Sequence, residues 1–529
     1  MKRKITLLAV ILITTILARS FLLPANKHKT KLVLYVVVDQ LAANYIERFD
    51  SFIEGGFKKL KDNGAYFPNT FHEHADTSTC PGHAALSTGM YPSHSGIVQN
   101  WWNDRNTGKQ IYCVDDPIYK SSPKQLLVSA LPDWIKNDNH SSKVFSVSGK
   151  DRAAIMMGGK SADAAFWYDK KSGNFTTSKY YNLLKSPKWF EQFHKPKPIN
   201  QFFGVAWESL PVDPLMLKKA EITILDRGLF PDNFPHSLGD ASVVPDLSFY
   251  EEIYQTPFLD QYTIQFTKAL IRGEELGQDS NLDYLSVSLS ALDLVGHKYG
   301  PNSPEVLDAF RKVDLQIGEL LDFIDQTIGL KNVLVVVSSD HGVQAFPEYQ
   351  HHRGIDAFRR DTEDVLCIQN SAKKIEALLN VKDLFKANLY LNSETIAHNK
   401  IPLDKLEDLL KSEIQSCRSV KALISTKDLL EAENYLFKNS YHPERSPDYF
   451  IELERNALPS QISGTSHGTP YDYDSHVPAF FMGNNIEKGI YQQRIATVDL
   501  APTVASILKL KFPTNLDGKL ISAELISAN

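Results

Sequence analysis

Leu32-Val33-Leu34-Tyr35-Val36-Val37-Val38 runs without a charged residue and ends on Asp39. A continuous Val/Leu run of this length reads as a strand buried on both faces of a parallel sheet. Two further runs repeat the arrangement. Tyr284-Leu285-Ser286-Val287-Ser288-Leu289 leads to Asp293 and, four residues later, His297. Val333-Leu334-Val335-Val336-Val337 leads through two serines to Asp340-His341. Ligands of such sheets bind beyond the carboxyl ends of the strands, so three strands deliver oxygen and nitrogen donors to one rim. A single Asp after a strand is ordinarily a turn or cap residue, and a single His ordinarily a satisfied polar group. Their repetition at one structural position is what points to a site. Carboxylate and imidazole donors together suit Zn²⁺ or a similar divalent ion, and soft thiolate ligation is not suggested.

Working outward, Thr77-Ser78-Thr79-Cys80-Pro81-Gly82-His83-Ala84-Ala85-Leu86-Ser87-Thr88-Gly89 places hydroxyls before a Pro-Gly turn and residues able to start a helix. Helix N-terminal amides favour an anion there. Taken alone the segment is an ordinary N-cap; beside the acidic and histidine rim it becomes a place to hold a phosphate, with Asn100 a little downstream.

Taken jointly, Asp39, Thr79 in T-C-P-G-H, the D-x-x-x-H of Asp293 and His297, the D-H-G of Asp340 to Gly342, and a late H-G at His467-Gly468 resemble the alkaline phosphatase superfamily. Within it the chain is most similar to bacterial phosphate-irrepressible, PafA-type alkaline phosphatases with a threonine nucleophile. The resemblance runs from about Leu32 to Leu520. It implies an α/β fold with a central, mostly parallel sheet flanked by helices and carrying inserted cap regions. It also implies two Zn²⁺ per chain. Asp39, Asp340 and His341 are assigned to the ion that activates the Thr79 hydroxyl, with Thr79 itself a ligand, and Asp293, His297 and His467 to its neighbour. His476 is the competing choice for the last ligand. Attack by Thr79 gives a phosphothreonine that is then hydrolysed. Asn100, Lys150 and Arg152 hold the non-bridging oxygens, because K-D-R followed by small residues and A-F-W is how these enzymes present the two cations.

A threonine hydroxyl is a weak nucleophile at neutral pH and needs a base or a metal, while Arg grips a phosphoryl group bidentately and Lys as a point charge. A monoester carries one more negative charge on the transferred group than a diester. Lys150 and Arg152 therefore rank a phosphomonoesterase ahead of a type I phosphodiesterase or nucleotide pyrophosphatase. Sulfatases require Cys or Ser in C/S-x-P-x-R, whereas Thr79 holds the first position here and His83 replaces the Arg. A non-catalytic metal-binding envelope protein would be expected to lack Thr79 or a ligand, and none is missing.

The chain has 529 residues, 43% of them hydrophobic and 23% charged, with net charge -6. That balance argues against general nucleic-acid binding. Length alone suggests several domains, yet the ligand set spans Asp39 to His467, so one catalytic domain over about 28–525 is expected, with insertions near 113–245 and 346–462. Lys2, Arg3 and Lys4 precede the apolar run Ile5 to Ala18, and Ala18-Arg19-Ser20 offers a small-x-small cleavage site. Residues 1–20 read as a secretory signal peptide, with an uncleaved anchor to about residue 24 as the alternative, because the run is shorter than the about 20 residues of a membrane span. The expected protein is a periplasmic or secreted bacterial monomer. It acts on small phosphate esters, without a stable membrane partner once the signal is removed. Export permits disulfides; the four cysteines, Cys80, Cys113, Cys367 and Cys417, allow three complete pairings.

Along the rest of the chain, Asn44 to Asn63 has helical spacing and stops at Asn63-Gly64. Trp101-Trp102 reads as an exposed pair able to wall a pocket, although aromatic residues are usually core. The aromatic- and proline-rich stretch from Cys113 to Pro245 reads as a cap, inside which Ser146-Val147-Ser148-Gly149-Lys150-Asp151-Arg152 ends a short strand-like run. Lys-x-Arg on an extended chain turns both cations to one side. Pro304 to Ile324 reads as an amphipathic helix with Pro in its first turn.

Overall fold

The computed structural model describes residues 30–181, 186–222, 234–240, 244–458 and 464–521. The expected signal peptide, residues 1–20, lies outside them. The strands of the central sheet are β1 (Leu32–Val38), β2 (Ala65–Phe71), β3 (Val144–Ser148), β4 (Ala164–Asp169), β5 (Asn174–Thr176), β6 (Asp283–Leu289), β7 (Val333–Ser338), β8 (His476–Met482), β9 (Gly489–Ile490) and β10 (Ile495–Ala496). They form a 10-stranded sheet in the order β9-β2-β8-β7-β1-β6-β3-β4-β5, with β10 also beside β2. The ladders joining β7, β1, β6, β3 and β4 are parallel. Strand β8 runs against both its neighbours, and β5 runs against β4.

The three apolar runs take the centre. All of β1, β6 and β7 is buried. Alternate residues of β1 enter two separate cores, Leu32, Leu34, Val36 and Val38 on one face and Val33, Tyr35 and Val37 on the other. Each such Val or Leu withdrawn from water contributes about 1.5–3 kcal/mol, which is why the runs tolerate no charge. The register is flush: Val37 pairs with Ser288 on β6 and with Ser338 on β7. Asp39, the helix carrying Asp293 and the loop carrying Asp340 therefore emerge from one edge.

The flanking helices used below are α1 (Thr79–Thr88), α2 (Asp151–Gly158), α3 (Phe258–Gly273), α4 (Ala291–Tyr299), α5 (Pro304–Thr327) and α6 (Leu500–Ile507). In α5, Pro304 takes the first turn behind the Ser303 cap, and Val306, Phe310, Val313, Ile317, Leu320 and Ile324 face the first core. Leu500 and Val504 of α6 cover the opposite face.

Four expectations change. The helix expected over residues 44–63 is broken: Ala43–Arg48 and Gly56–Asn63 are separate helices around a short 3-10 turn. The Asp314 carboxylate captures the backbone N–H groups of Glu54, Gly55 and Phe57, and a Cβ on Gly55 would sit 2.4 Å from the Asp314 carbonyl oxygen. The cap expected over 113–245 is not one element, since β3, β4 and β5 lie within it and extend the sheet. Lys150 and Arg152 do not share one extended segment: Lys150 is the extended N-cap of α2, and the helix begins at Asp151. Of the tryptophan pair, Trp101 is exposed and Trp102 is buried.

The stretch from 346 to 462 contains a small α/β unit with its own core of Ile368, Ile375, Leu406, Leu410, Ile414 and Leu423. Strand Val420–Ser425 pairs antiparallel with Tyr449–Leu453, and a Cys367–Cys417 disulfide joins the unit's two longer helical stretches. Among the described residues no helix is long and apolar enough to cross a membrane.

Helix α4, which bears Asp293 and His297, is anchored by Asp260 of α3. This fully buried carboxylate accepts from the Ser290 N–H at 2.8 Å and the Ala291 N–H at 3.1 Å. Burial pushes its pKa up to about 7, against the pull of those two N–H groups. An unfolded Asp ionises near pH 4, so between about pH 4 and 7 the folded protein holds a proton the unfolded chain has released. Stability then falls as pH rises through that window, by on the order of 4 kcal/mol. Melting curves of wild type and Asp260→Asn should diverge in the variant's favour from about pH 4 to 7 and run parallel above it; parallel curves throughout would contradict this.

Candidate active site

At the carboxyl rim, Asp39, Asp340 and His341 bring one donor atom each to within 4.8 Å of one another, and Asp293, His341 and His467 form a second such group. His341 belongs to both, its ring stacked on that of His467 with centroids 3.4 Å apart. His297, one helical turn from Asp293 on α4, places Nε2 3.2 Å from Asp293 Oδ1. The structure thus gathers the aspartates and histidines that the resemblance assigned as metal ligands. His476 lies elsewhere: its Nε2 contacts the Pro68 carbonyl at 2.7 Å and its ring stacks on Phe71.

The histidines share one orientation. His297 Nδ1 meets the Thr465 carbonyl at 2.8 Å, His341 Nδ1 the Gly342 carbonyl at 3.0 Å, and His467 Nδ1 the Thr77 carbonyl at 2.9 Å. A carbonyl only accepts, so Nδ1 carries a proton in each ring and Nε2 is the atom turned to the cluster, the orientation a metal-binding imidazole requires. Burial pushes the pKa of His341 and His467 down, while Asp293 draws that of His297 up against burial. Asp39 Oδ1, Asp340 Oδ2 and His341 Nε2 are buried and make no hydrogen bond. Burial and the neighbouring Asp340 raise the Asp39 carboxyl well above its ordinary range. Burial would raise Asp293 and Asp340 too, but His297 with Lys150, and His341 with His83, hold them low. Crowded, desolvated carboxylates facing unprotonated imidazole nitrogens are the donor set for a divalent cation.

Thr79 opens α1 with Ser78 as N-cap. Its hydroxyl oxygen accepts from Arg152 Nη2 at 3.3 Å, while Arg152 Nε, on the same edge of the guanidinium, is buried without a partner. That edge, holding the Thr79 oxygen at Nη2 and leaving Nε open, has the geometry to grip two oxygens of one group. The Asn100 carbonyl oxygen accepts the Cys80 N–H at 2.8 Å, which leaves the amide NH₂ as its donor end. A Cys80–Cys113 disulfide and the Cys113 N–H to Asn100 carbonyl bond tie this segment to α1. Helix α1 approaches the rim closely only because residue 82 is glycine; a Cβ there would meet the Asp340 carbonyl oxygen at 2.2 Å. Lys150 Nζ lies 2.6 Å from Asp39 Oδ2 and 2.5 Å from Asp293 Oδ2, so its ammonium bridges the two groups of carboxylates.

Three further residues belong to the site. His83 Nδ1 contacts the Thr79 carbonyl at 2.9 Å and lies 3.2 Å from Asp340 Oδ2, with Nε2 against Ser288 Oγ. The Tyr112 hydroxyl is 3.4 Å from Arg152 Nη1 and donates to Asp151 Oδ1 at 2.7 Å. Gln40 contacts both Asp293 and Asp340. His83 sits at helical spacing from Thr79 and Gln40 adjoins Asp39, the sequence signals that mark them; Tyr112 carries none.

A family profile described as "Type I phosphodiesterase / nucleotide pyrophosphatase" matches residues 33–470. The chain is 31% identical to alkaline phosphatase PhoV of Synechococcus elongatus, over 94% of each protein. It is 32% identical to a Myroides odoratus protein named calcium-transporting ATPase, over 92% of this chain and 93% of that one. The crystal structure of wild-type alkaline phosphatase PafA superposes with a TM-score of 0.85 at 30% identity, covering 94% of this chain and 99% of that chain.

Zinc added to chelator-stripped protein is expected to raise the melting temperature, the stabilisation reaching about 2.7 kcal/mol at a free zinc concentration 100 times the Kd. Asp340→Asn should shrink that shift. A melting curve indifferent to zinc would contradict the cation reading.

Proposed function

The chain belongs to the type I phosphodiesterase/nucleotide pyrophosphatase family of the alkaline phosphatase superfamily, hydrolases acting on phosphoric esters, and from that premise we propose an exported, zinc-dependent phosphomonoesterase with Thr79 as nucleophile. The observation that carries the reading is the meeting of the Thr79 hydroxyl with Arg152, whose Nε on the same edge is open, beside the aspartate and histidine rim.

Asp39, Asp340 and His341 would hold one ion and Asp293, His297 and His467 the other. When bound, two divalent ions lower the pKa of a hydroxyl or water and take up charge on the attacking and leaving oxygens. The protein's own groups do the rest. Thr79 Oγ1 attacks phosphorus, the ester P–O bond breaks, and the alcohol leaves with a proton. Water then attacks the phosphothreonine, the P–Oγ bond breaks, and inorganic phosphate and the Thr79 hydroxyl are regenerated. Arg152 and the Asn100 NH₂ hold non-bridging oxygens where charge gathers. Lys150, bound to Asp39 and Asp293, gains a role on the phosphoryl group once cations neutralise those carboxylates. His83 and Tyr112 keep Asp340 and Arg152 in place.

Two cations near the transferred group favour a dianionic monoester over a monoanionic diester. The terminal phosphoryl group of ATP meets the same requirement, which accommodates the ATPase in the Myroides relative's name. Export is supported by the basic and apolar residues 2–18 and by disulfides Cys80–Cys113 and Cys367–Cys417, which persist in oxidising compartments.

The test is kcat/KM on a matched aryl phosphate monoester and diester. Thr79→Ala should lose about 10³-fold or more on both. Lys150→Ala/Arg152→Ala should lose far more on the monoester than on the diester. A diester preference unaffected by the double substitution would overturn the monoesterase reading, and an active Thr79→Ala would overturn the nucleophile.

A further inference from the structure

Gln40 follows β1 directly, is fully buried, and has φ 67, a left-handed conformation that costs a residue with a side chain about 1–2 kcal/mol. Strain of this kind persists where the surroundings require it. Here the turn aims two donors of one residue in different directions. The Gln40 backbone N–H donates to Asp340 Oδ1 at 3.2 Å, and its side-chain Nε2 donates to Asp293 Oδ1 at 2.6 Å. Asp340 belongs to one ligand group and Asp293 to the other.

We propose that Gln40 is a positioning residue that fixes the two metal-ligand groups relative to each other, an inference that rests on the metal reading above. The backbone bond engages Asp340 Oδ1 and leaves Oδ2 as the oxygen facing His341, 3.3 Å away. The hydrogen bond from the side-chain amide orients Asp293 from across the strand boundary. A glycine at position 40 would relieve the turn but supply no side-chain donor. An amide is also neutral, so unlike Lys150 it orients Asp293 without competing with a cation for its charge.

Helix α4 confines the amide. The Gln40 Oε1 is buried without a partner, and a Cβ on Gly296 would lie 1.8 Å from it. Gly296 is therefore the space into which the Gln40 amide fits, and any side chain there pushes the amide off Asp293. The two positions form a pair whose effects depend on each other.

Four forms of the full-length protein test this: wild type, Gln40→Gly, Gly296→Ala and the double variant. For each, the zinc Kd is measured by chelator competition, and the melting temperature of the zinc-free protein is measured alongside. Loss of a residue that orients metal ligands costs 10–100-fold in affinity. Gln40→Gly is expected to weaken zinc binding by about that factor, without lowering the zinc-free melting temperature, because the turn is relieved. Gly296→Ala is expected to weaken zinc binding in the wild-type background and to add nothing in the Gln40→Gly background. Wild-type zinc affinity in Gln40→Gly would overturn the proposal, and so would an equal loss from Gly296→Ala in both backgrounds. A wild-type protein that takes up no zinc would overturn the metal reading and this inference together, a result distinct from either of those.

Discussion

Three carboxylates, Asp39, Asp293 and Asp340, are held within a few ångströms of one another at the end of a sheet buried on both faces. Neither burial nor mutual repulsion favours that arrangement, and removing charge from water is costly unless it is paired. The rest of the site answers this one constraint. Lys150 bridges Asp39 and Asp293, the histidines turn their Nε2 atoms inward, and His83 stands beside Asp340. The flush register of β1, β6 and β7 makes the crowding unavoidable. Three strands that end level, each followed closely by an acidic residue, leave no other place for the carboxylates.

Thr79 and Arg152 are delivered to that rim by separate elements. Helix α1 brings Thr79 in at its first residue, allowed to approach by Gly82 and tied through Cys80 to the segment that carries Asn100. Helix α2 starts beside it and sends Arg152 to the Thr79 hydroxyl. The inserted unit after β7 braces these segments from outside. Arg105 pairs with Asp448, the Arg445 guanidinium donates to the Gly96 and Gln125 carbonyls, and Arg359 donates to the Gly464 carbonyl, next to the loop bearing His467. The rim is thus held by contacts spread over most of the chain.

What was legible in the sequence follows the range of the interactions involved. The central strands were legible because burial on both faces imposes an apolar run that nothing else imitates as well, and the rim residues because they follow those runs. Pro304 marked α5 through a first-turn preference that acts locally. The break at Gly55 was hidden, because the group that breaks the helix, Asp314, lies far along the chain. Strands β3 to β5 were hidden among the aromatic residues of 113–245, several of which, Phe166, Phe175 and Trp207 among them, belong to the same core as the central strands. Lys150 and Arg152 were placed on a strand when Asp151 starts a helix between them. Which cysteines pair, and that Gln40 reaches two carboxylates from one strained turn, depend on tertiary contacts that spacing does not encode. The deepest part of the site was therefore the least readable, although its ligands were the most conspicuous residues in the chain.

The crowded carboxylates are arranged, on this reading, to hold two cations beside Thr79. The most direct measurement is anomalous diffraction at the zinc edge from crystals of the zinc-loaded protein. The account predicts two peaks, one bounded by Asp39, Asp340 and His341 and the other by Asp293, His297 and His467, with the Lys150 ammonium no longer bridging Asp39 and Asp293. A map without zinc peaks at these residues, with Lys150 still joining the two carboxylates, would contradict it.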